Sequence, residues 1–312
     1  MPATPAPPLV RARGLRQQFG AFTALDDVDF ELQDHTIYGL LGRNGAGKTT
    51  LMQILTGQTL PSSGRIEVFG TDPYESAAIM QQMCFVADTQ RYPDAVCVRH
   101  VLSSAELLVP RWDSDYAHHL VERFALPENR RVKKLSRGMT SALGIVVGLA
   151  SRAPLTVFDE PYLGLDAVAR KMFYDELIAD YAEHPRTIVL STHLIDEVAD
   201  LLEHVLVLDR GRLVLDVDTD TARASAAVAE GPADDVARVV GSHTVLHHES
   251  LGNTVRTTFL SGTDGIDETG RPAGVSIHAV SLQDLVVHLH VDPTTESHAR
   301  TTTASTTQEA PL

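Results

Sequence analysis

Residues 42–50 read GRNGAGKTT and hold three glycines, a lysine and two threonines within nine positions. Gly42, Gly47, Lys48 and Thr49 satisfy every fixed position of a G-x-x-x-x-G-K-[ST] loop. Glycine lets successive backbone N–H groups turn inward around an anion. A helix that follows such a loop points its positive end at the same charge. The spacing predicts that Lys48 reaches the β- and γ-phosphates of a nucleotide and that the Thr49 hydroxyl binds Mg²⁺. Asn44, Gly45, Ala46 and Thr50 are expected to complete the cradle. A glycine turn beside a stray lysine is the bland alternative. The apolar run before the loop and the helical pattern after it argue against that reading. By itself the loop specifies ATP or GTP.

Three further groups gain meaning beside that loop. Residues 155–160 (LTVFDE) end a four-residue apolar run in Asp159 and Glu160. In a parallel sheet this puts both carboxylates at the edge where ligands bind. Asp159 is then the expected acid on the Mg²⁺ side, and Glu160 the residue able to orient water. Ser136-Arg137-Gly138 opens an apolar helix and alone would be an ordinary N-cap. His193, after a short strand, would alone be unremarkable.

The elements that must hold these residues follow from apolar patterning. Alternation predicts a half-exposed strand over 28–32 (VDFEL), and a continuous apolar run predicts a buried parallel strand over 37–41 (IYGLL). Helix is expected over 50–56, a turn at 61–64 and a strand over 65–69. From about 94 to 150 the periodicity is helical, with Val98, Val101, Leu102, Ala105 and Leu108 repeating at threes and fours, and Pro110 and Pro127 punctuate it. Short strands are expected over 155–158 and 187–190, separated by a helix over 169–181. A hairpin is expected around Arg210-Gly211. This order argues for an α/β sheet.

The ordered set of GRNGAGKTT, KLSRGM (134–139), LTVFDEP, LGLD (163–166) and STH (191–193) resembles the nucleotide-binding subunit of an ABC transporter. The resemblance covers about residues 9–215. It implies a P-loop NTPase fold with a RecA-like core, an antiparallel β subdomain and a helical subdomain inserted over about 94–150. A small C-terminal α/β accessory domain is expected over 216–291, a disordered start over 1–8 and a disordered tail over 292–312. The resemblance also implies roles. Phe19 falls where the family stacks an aromatic on adenine, with Phe22 as a nearby rival. Glu160 falls on the carboxylate that polarises the attacking water, and His193 on the histidine that contacts the γ-phosphate. Ser136 and Gly138 fall in the signature that reaches the nucleotide of the opposite subunit, and Asp166 in the loop crossing that interface. ATP and Mg²⁺ are the implied ligands. The implied partners are a second nucleotide-binding subunit, as homodimer or heterodimer, and an integral membrane permease.

Two motifs depart from the family pattern. The signature reads LSRGM where LSGGQ is usual, so Arg137 replaces a glycine and Met139 a glutamine. In the segment that ordinarily ends in a Mg²⁺-side glutamine, Asp88 stands at that place and Gln90 lies two residues on. Either is a candidate for the role. The LSRGM and EPYLGLD forms resemble those of bacterial exporter-type ATPases, which implies export.

Bulk properties narrow the classes. The formal net charge is −15 with pI ≈ 5.3, which gives no general electrostatic grip on nucleic acid. That weighs against the alternative reading, a soluble ABC ATPase acting in DNA repair, chromosome structure or translation. A P-loop kinase or GTPase would leave the signature and His193 unexplained. The most apolar run, 142–150, is less than half the ~20 residues a membrane span needs. With no signal-peptide pattern, the expected location is the cytoplasmic face of a membrane, reached through a partner. Cys84 and Cys97 read as free thiols, and the paired histidines at 118–119, 247–248 and 288/290 as structural or solvated rather than metal-binding.

Overall fold

The computed structural model describes residues 7–88, 90–261, 272 and 274–289. Most of the expected 1–8 start and all of the 292–312 tail therefore lie outside the described residues, as does His290. The chain divides into two compact units between Asp220 and Thr221.

The first unit opens with β1 (Val10–Phe19) and β2 (Phe22–Leu32), an antiparallel pair in which Val10 faces Leu32 and Phe19 faces Phe22. Alternation in the sequence predicts only 28–32 of this hairpin. Arginines at 11, 13 and 16 mask the apolar side of β1, and irregular register between Ala12 and Gln18 breaks its period of two. Burial of Val10, Ala12 and Leu15 nevertheless seats it in the core, with Arg11 and Arg13 paired to Glu31 on the outer face.

β3 (Ile37–Leu41) is buried at all five positions, as a central parallel strand must be. It feeds α1 (Lys48–Leu55), and β4 (Ser63–Val68) then returns to pair with β1. The short α2 (Ala77–Met80) leads into β5 (Met83–Val86). The helical region punctuated by Pro110 and Pro127 is three helices in the structure: α3 (Val98–Leu108), α4 (Ser114–Arg123) and α5 (Arg137–Ala150). Asp113 caps α4 and Ser136 caps α5, each accepting from a first-turn backbone N–H. β6 (Leu155–Asp159), α6 (Ala167–Glu183), β7 (Thr187–Ser191) and α7 (Ile195–Val198) follow. The hairpin of β8 (His204–Asp209) and β9 (Arg212–Asp218) closes the sheet, and α8 (Thr219–Ala224) comes next.

Two sheets result. β2-β1-β4 is wholly antiparallel. The six-stranded sheet runs β5-β6-β7-β3-β8-β9, parallel except for the final hairpin. β3 lies between β7 and β8, which sets the phosphate loop at the middle of the carboxyl edge, one strand from the end of β7 and two from that of β6. This is a P-loop NTPase architecture with an antiparallel sheet and inserted helices.

In the second unit, β10 (Ala226–Pro232), α9 (Ala233–Val240), β11 (Val245–Leu251), β12 (Thr254–Leu260), β13 (Ser276–Ala279) and α10 (Leu282–Leu289) follow in order. The antiparallel sheet runs β11-β12-β10-β13, with Ala229, Val236, Val255 and Phe259 in its own small core. β10 reads as AAVAEGP, a composition without a strand signal. Pairing on both sides makes it a strand.

Candidate active site

The turn from β3 into α1 demands glycine at two places for different reasons. Gly42 has φ +142°, and a Cβ there would lie 2.3 Å from the Leu208 carbonyl oxygen. Gly47, at the N-cap of α1, has φ +108° and would strike the Ala24 carbonyl at 2.6 Å. Any side chain at either position would force the loop away from the strands behind it. The backbone thus closes around a cavity of about 420 Å³ lined by Asn44, Gly45, Gly47, Lys48, Thr49 and Thr50.

The opposite wall brings Asp88, Asp159, Glu160, Leu163 and His193 to the same cavity. Sequence distance between these residues is large, but the strand order collects their loops. Lys48 is buried, and its ammonium donates to the carbonyls of Gly42 at 2.7 Å and Arg43 at 3.3 Å. Its Nζ lies 4.0 Å from Glu160 Oε1. Burial pulls the Lys48 pKa down, and the two neighbouring carboxylates partly restore it.

Thr49 Oγ1 donates to Asp159 Oδ2 at 2.9 Å. Burial raises the Asp159 pKa, and this hydrogen bond opposes the rise. A buried carboxylate beside a hydroxyl is a hard oxygen donor set suited to Mg²⁺. Among the described residues there is no cluster of three His, Cys, Asp or Glu side chains able to cage a metal. A cation here would take its remaining ligands from phosphate and water, as Mg²⁺ does in nucleotide sites.

Glu160 adopts φ +48°, a left-handed conformation costing about 1–2 kcal/mol for a residue with a Cβ. Its N–H donates to the Ser191 carbonyl at 3.2 Å, which holds the turn against β7. Its Oε2 accepts from His193 Nδ1 at 2.7 Å. The same oxygen accepts from the hydroxyl of Tyr162, a residue whose place in the site was not legible from its sequence context. Tyr162 also accepts from the His193 backbone N–H at 2.9 Å and from Thr192 Oγ1 at 3.0 Å.

The other expected site residues divide plainly. Phe19 and Phe22 sit at the hairpin tip, both more than half exposed, and Phe22 is the one that lines the cavity. Ala46 is buried beneath the loop, where its carbonyl accepts from Gly211 N–H at 2.9 Å. A second cavity of about 330 Å³ is lined by Asp88, Gln90, Arg137, Ser141 and Glu160, among others. Asp88 and Glu160 border both cavities, whereas Gln90 borders only the second. Arg137 Nη2 pairs with Asp88 Oδ1 at 3.3 Å. The two departures from the family pattern therefore contact each other.

Ser136 and Gly138 line neither cavity. Ser136 caps α5 by accepting from Met139 N–H, and Gly138 packs against the backbone at Gly164. Asp166 caps α6, accepting from Ala169 N–H at 2.8 Å.

Comparison with known proteins gives a concordant result. A family model described as ABC transporter matches residues 25–163. The chain is 31% identical over 219 residues to the Nod factor export ATP-binding protein I of Cupriavidus metallidurans, covering 66% of this chain and 70% of that one. It is 30% identical over 269 residues to the aliphatic sulfonates import ATP-binding protein SsuB 1 of Burkholderia lata, covering 84% and 76%. A dimeric ATP-binding cassette in a post-hydrolysis state, bound to ADP and Pi, shares the fold at TM-score 0.60 and 18% identity. That match spans 67% of this chain and 98% of the other.

Proposed function

The chain belongs to the ABC transporter family as an ATP-binding, ATP-hydrolysing subunit, and from that premise we propose that it powers a separate membrane permease, driving cargo outward. The observation that carries this is half a site. Lys48, Thr49, Asp159, Glu160 and His193 surround one cavity, while Ser136 and Gly138 line no cavity with them. The signature end of α5 is then free to face the nucleotide of a second subunit, either another copy of this chain or a related one. No helix among the described residues is long and apolar enough to cross a membrane; in this reading the permease is a separate polypeptide and the subunit works at its cytoplasmic face. The net charge of −15 argues against nucleic acid as partner. Outward transport rests on the LSRGM and EPYLGLD motifs, since relatives named for export and for import both match.

In this reading the loop N–H groups and Lys48 hold the β- and γ-phosphates. Thr49 and Asp159 would hold Mg²⁺, which would supply positive charge beside the phosphates. Glu160 turns its Oε1 toward the attacking water, and His193 contacts the γ-phosphate from beside it. Phe22, on the cavity wall, is placed to face the adenine. Catalysis is mostly positioning and charge neutralisation.

The test pairs two variants. Lys48→Ala should lose ATP binding. Glu160→Gln should bind ATP, turn over at least about 100-fold more slowly and accumulate as a dimer on sizing columns. A monomeric Glu160→Gln with normal turnover would refute the site. Purification of the tagged chain from membranes should bring a multi-span permease with it, and recovery only from the soluble fraction would refute the transport reading.

A further inference from the structure

The Tyr162 hydroxyl is buried at the junction of Glu160, Thr192 and His193. A phenol offers one hydrogen to donate and two lone pairs to accept with. All three are committed. The O–H donates to Glu160 Oε2, and the oxygen accepts from the His193 backbone N–H at 2.9 Å and from Thr192 Oγ1 at 3.0 Å. Burial, followed by the Glu160 carboxylate, pushes the Tyr162 pKa upward, so the group stays a neutral donor at every working pH. Its ring stands edge-on to the His193 imidazole, with centroids 5.5 Å apart.

The consequence falls on Glu160. Tyr162 and His193 Nδ1 both bond the same carboxylate oxygen, Oε2. The other oxygen, Oε1, is left on the Lys48 side, 4.0 Å from its ammonium. We propose that Tyr162 is a positioning residue for ATP hydrolysis. Its hydroxyl occupies Oε2 of Glu160 and thereby presents Oε1 to the attacking water. This inference rests on Glu160 being the carboxylate that polarises the water. Phenylalanine would fill the ring's space equally well but could not make these bonds, so packing alone does not account for the hydroxyl. Because Tyr162 binds the backbone N–H of His193 as well, one side chain holds the loop after β6 and the loop after β7 in a common register.

The test is Tyr162→Phe in the full chain, with steady-state ATPase kinetics. The kcat should fall about 10- to 100-fold while KM for ATP changes less than about twofold. Fluorotyrosine at position 162 keeps the hydroxyl and should keep near-normal turnover. In a Glu160→Gln background, adding Tyr162→Phe should cost nothing further, because the group it positions is already gone.

Wild-type kcat in Tyr162→Phe would overturn the inference, as would equal losses in both backgrounds. Loss of activity in the fluorotyrosine protein would also overturn it. Should Tyr162→Phe fold poorly, Thr192→Val decides instead, because it removes a hydroxyl that orients the phenol: kcat should fall at least about twofold with KM for ATP held, and an unmoved kcat would overturn the inference. Unimpaired turnover by Glu160→Gln alone would instead remove the base assignment, and this inference with it. A dead Glu160→Gln beside a fully active Tyr162→Phe would remove the positioning role only.

Discussion

Replacing Gly138 by alanine tests how the signature turn is held to the loop after β6. A Cβ at Gly138 would stand 2.5 Å from the Gly164 carbonyl oxygen and 3.3 Å from its carbon. Both atoms are backbone, so no side chain can rotate away. Ordinary contact begins at 3.4 Å, so the two segments must part by about 0.9 Å, an overpacking cost of about 1–3 kcal/mol. In a domain of this size that lowers the melting temperature by about 2–12 °C. The separation should also break the bond from Ser141 Oγ to the Leu163 carbonyl, now 2.6 Å, and disturb the segment that begins with Glu160 and ends at Asp166. ATP affinity should not change, because Gly138 does not line the phosphate-loop cavity, while turnover should fall at least about tenfold. Differential scanning fluorimetry, nucleotide titration and an ATPase assay read the three quantities separately. Ser141→Ala removes the hydrogen bond without adding volume and should cost only about 1 kcal/mol. Unchanged melting and turnover in Gly138→Ala would show that the packing of α5 against this loop is not what constrains the signature.

Burial raises the pKa of Asp159 in the folded chain above its unfolded value. A raised pKa contributes stability that is full below the ordinary carboxylate value of about 3.9 and is lost as pH climbs through the folded value. Asp159→Asn should therefore melt higher than wild type at neutral pH without nucleotide, with the difference vanishing near about pH 4. Parallel melting curves across that range would refute the assignment of strain to this carboxylate. The Arg137–Asp88 contact is largely exposed on the arginine side. A double-mutant cycle with Arg137→Gln and Asp88→Asn should give a coupling of about 0.2–1 kcal/mol, weakened in 1 M salt. Arg137→Gly should keep ATPase activity within about an order of magnitude. Complete loss would show that the guanidinium does more than pair with Asp88.

Residues 42–50 were legible because their chemistry is contiguous. The glycines, lysine and threonine act through adjacent backbone, and β3 and α1 carry the strongest local patterns on either side. The strand β3 has in the structure the limits its apolar run predicts. β1 was hidden because its arginines obscure the alternation and its irregular register breaks it. β10 was hidden because an alanine-rich segment has no strand signature until two neighbours hydrogen-bond it. The helical region around α3 to α5 breaks at the segments holding Pro110 and Pro127, while the caps Asp113 and Ser136 decide where α4 and α5 begin.

The sequence by itself determined the family, the phosphate loop, and the acids and histidine around it, because each sits in a short ordered motif. It left two questions open, whether Asp88 or Gln90 serves on the Mg²⁺ side and whether Phe19 or Phe22 meets the adenine. Only the tertiary structure adds that Asp88 and Phe22 line the phosphate-loop cavity. It alone brings Tyr162 to His193 across 31 positions and Arg137 to Asp88 across 49. Those contacts arise from the order of strands β5, β6, β7 and β3 in the sheet. Strand order depends on pairing between distant segments, and no local pattern encodes it.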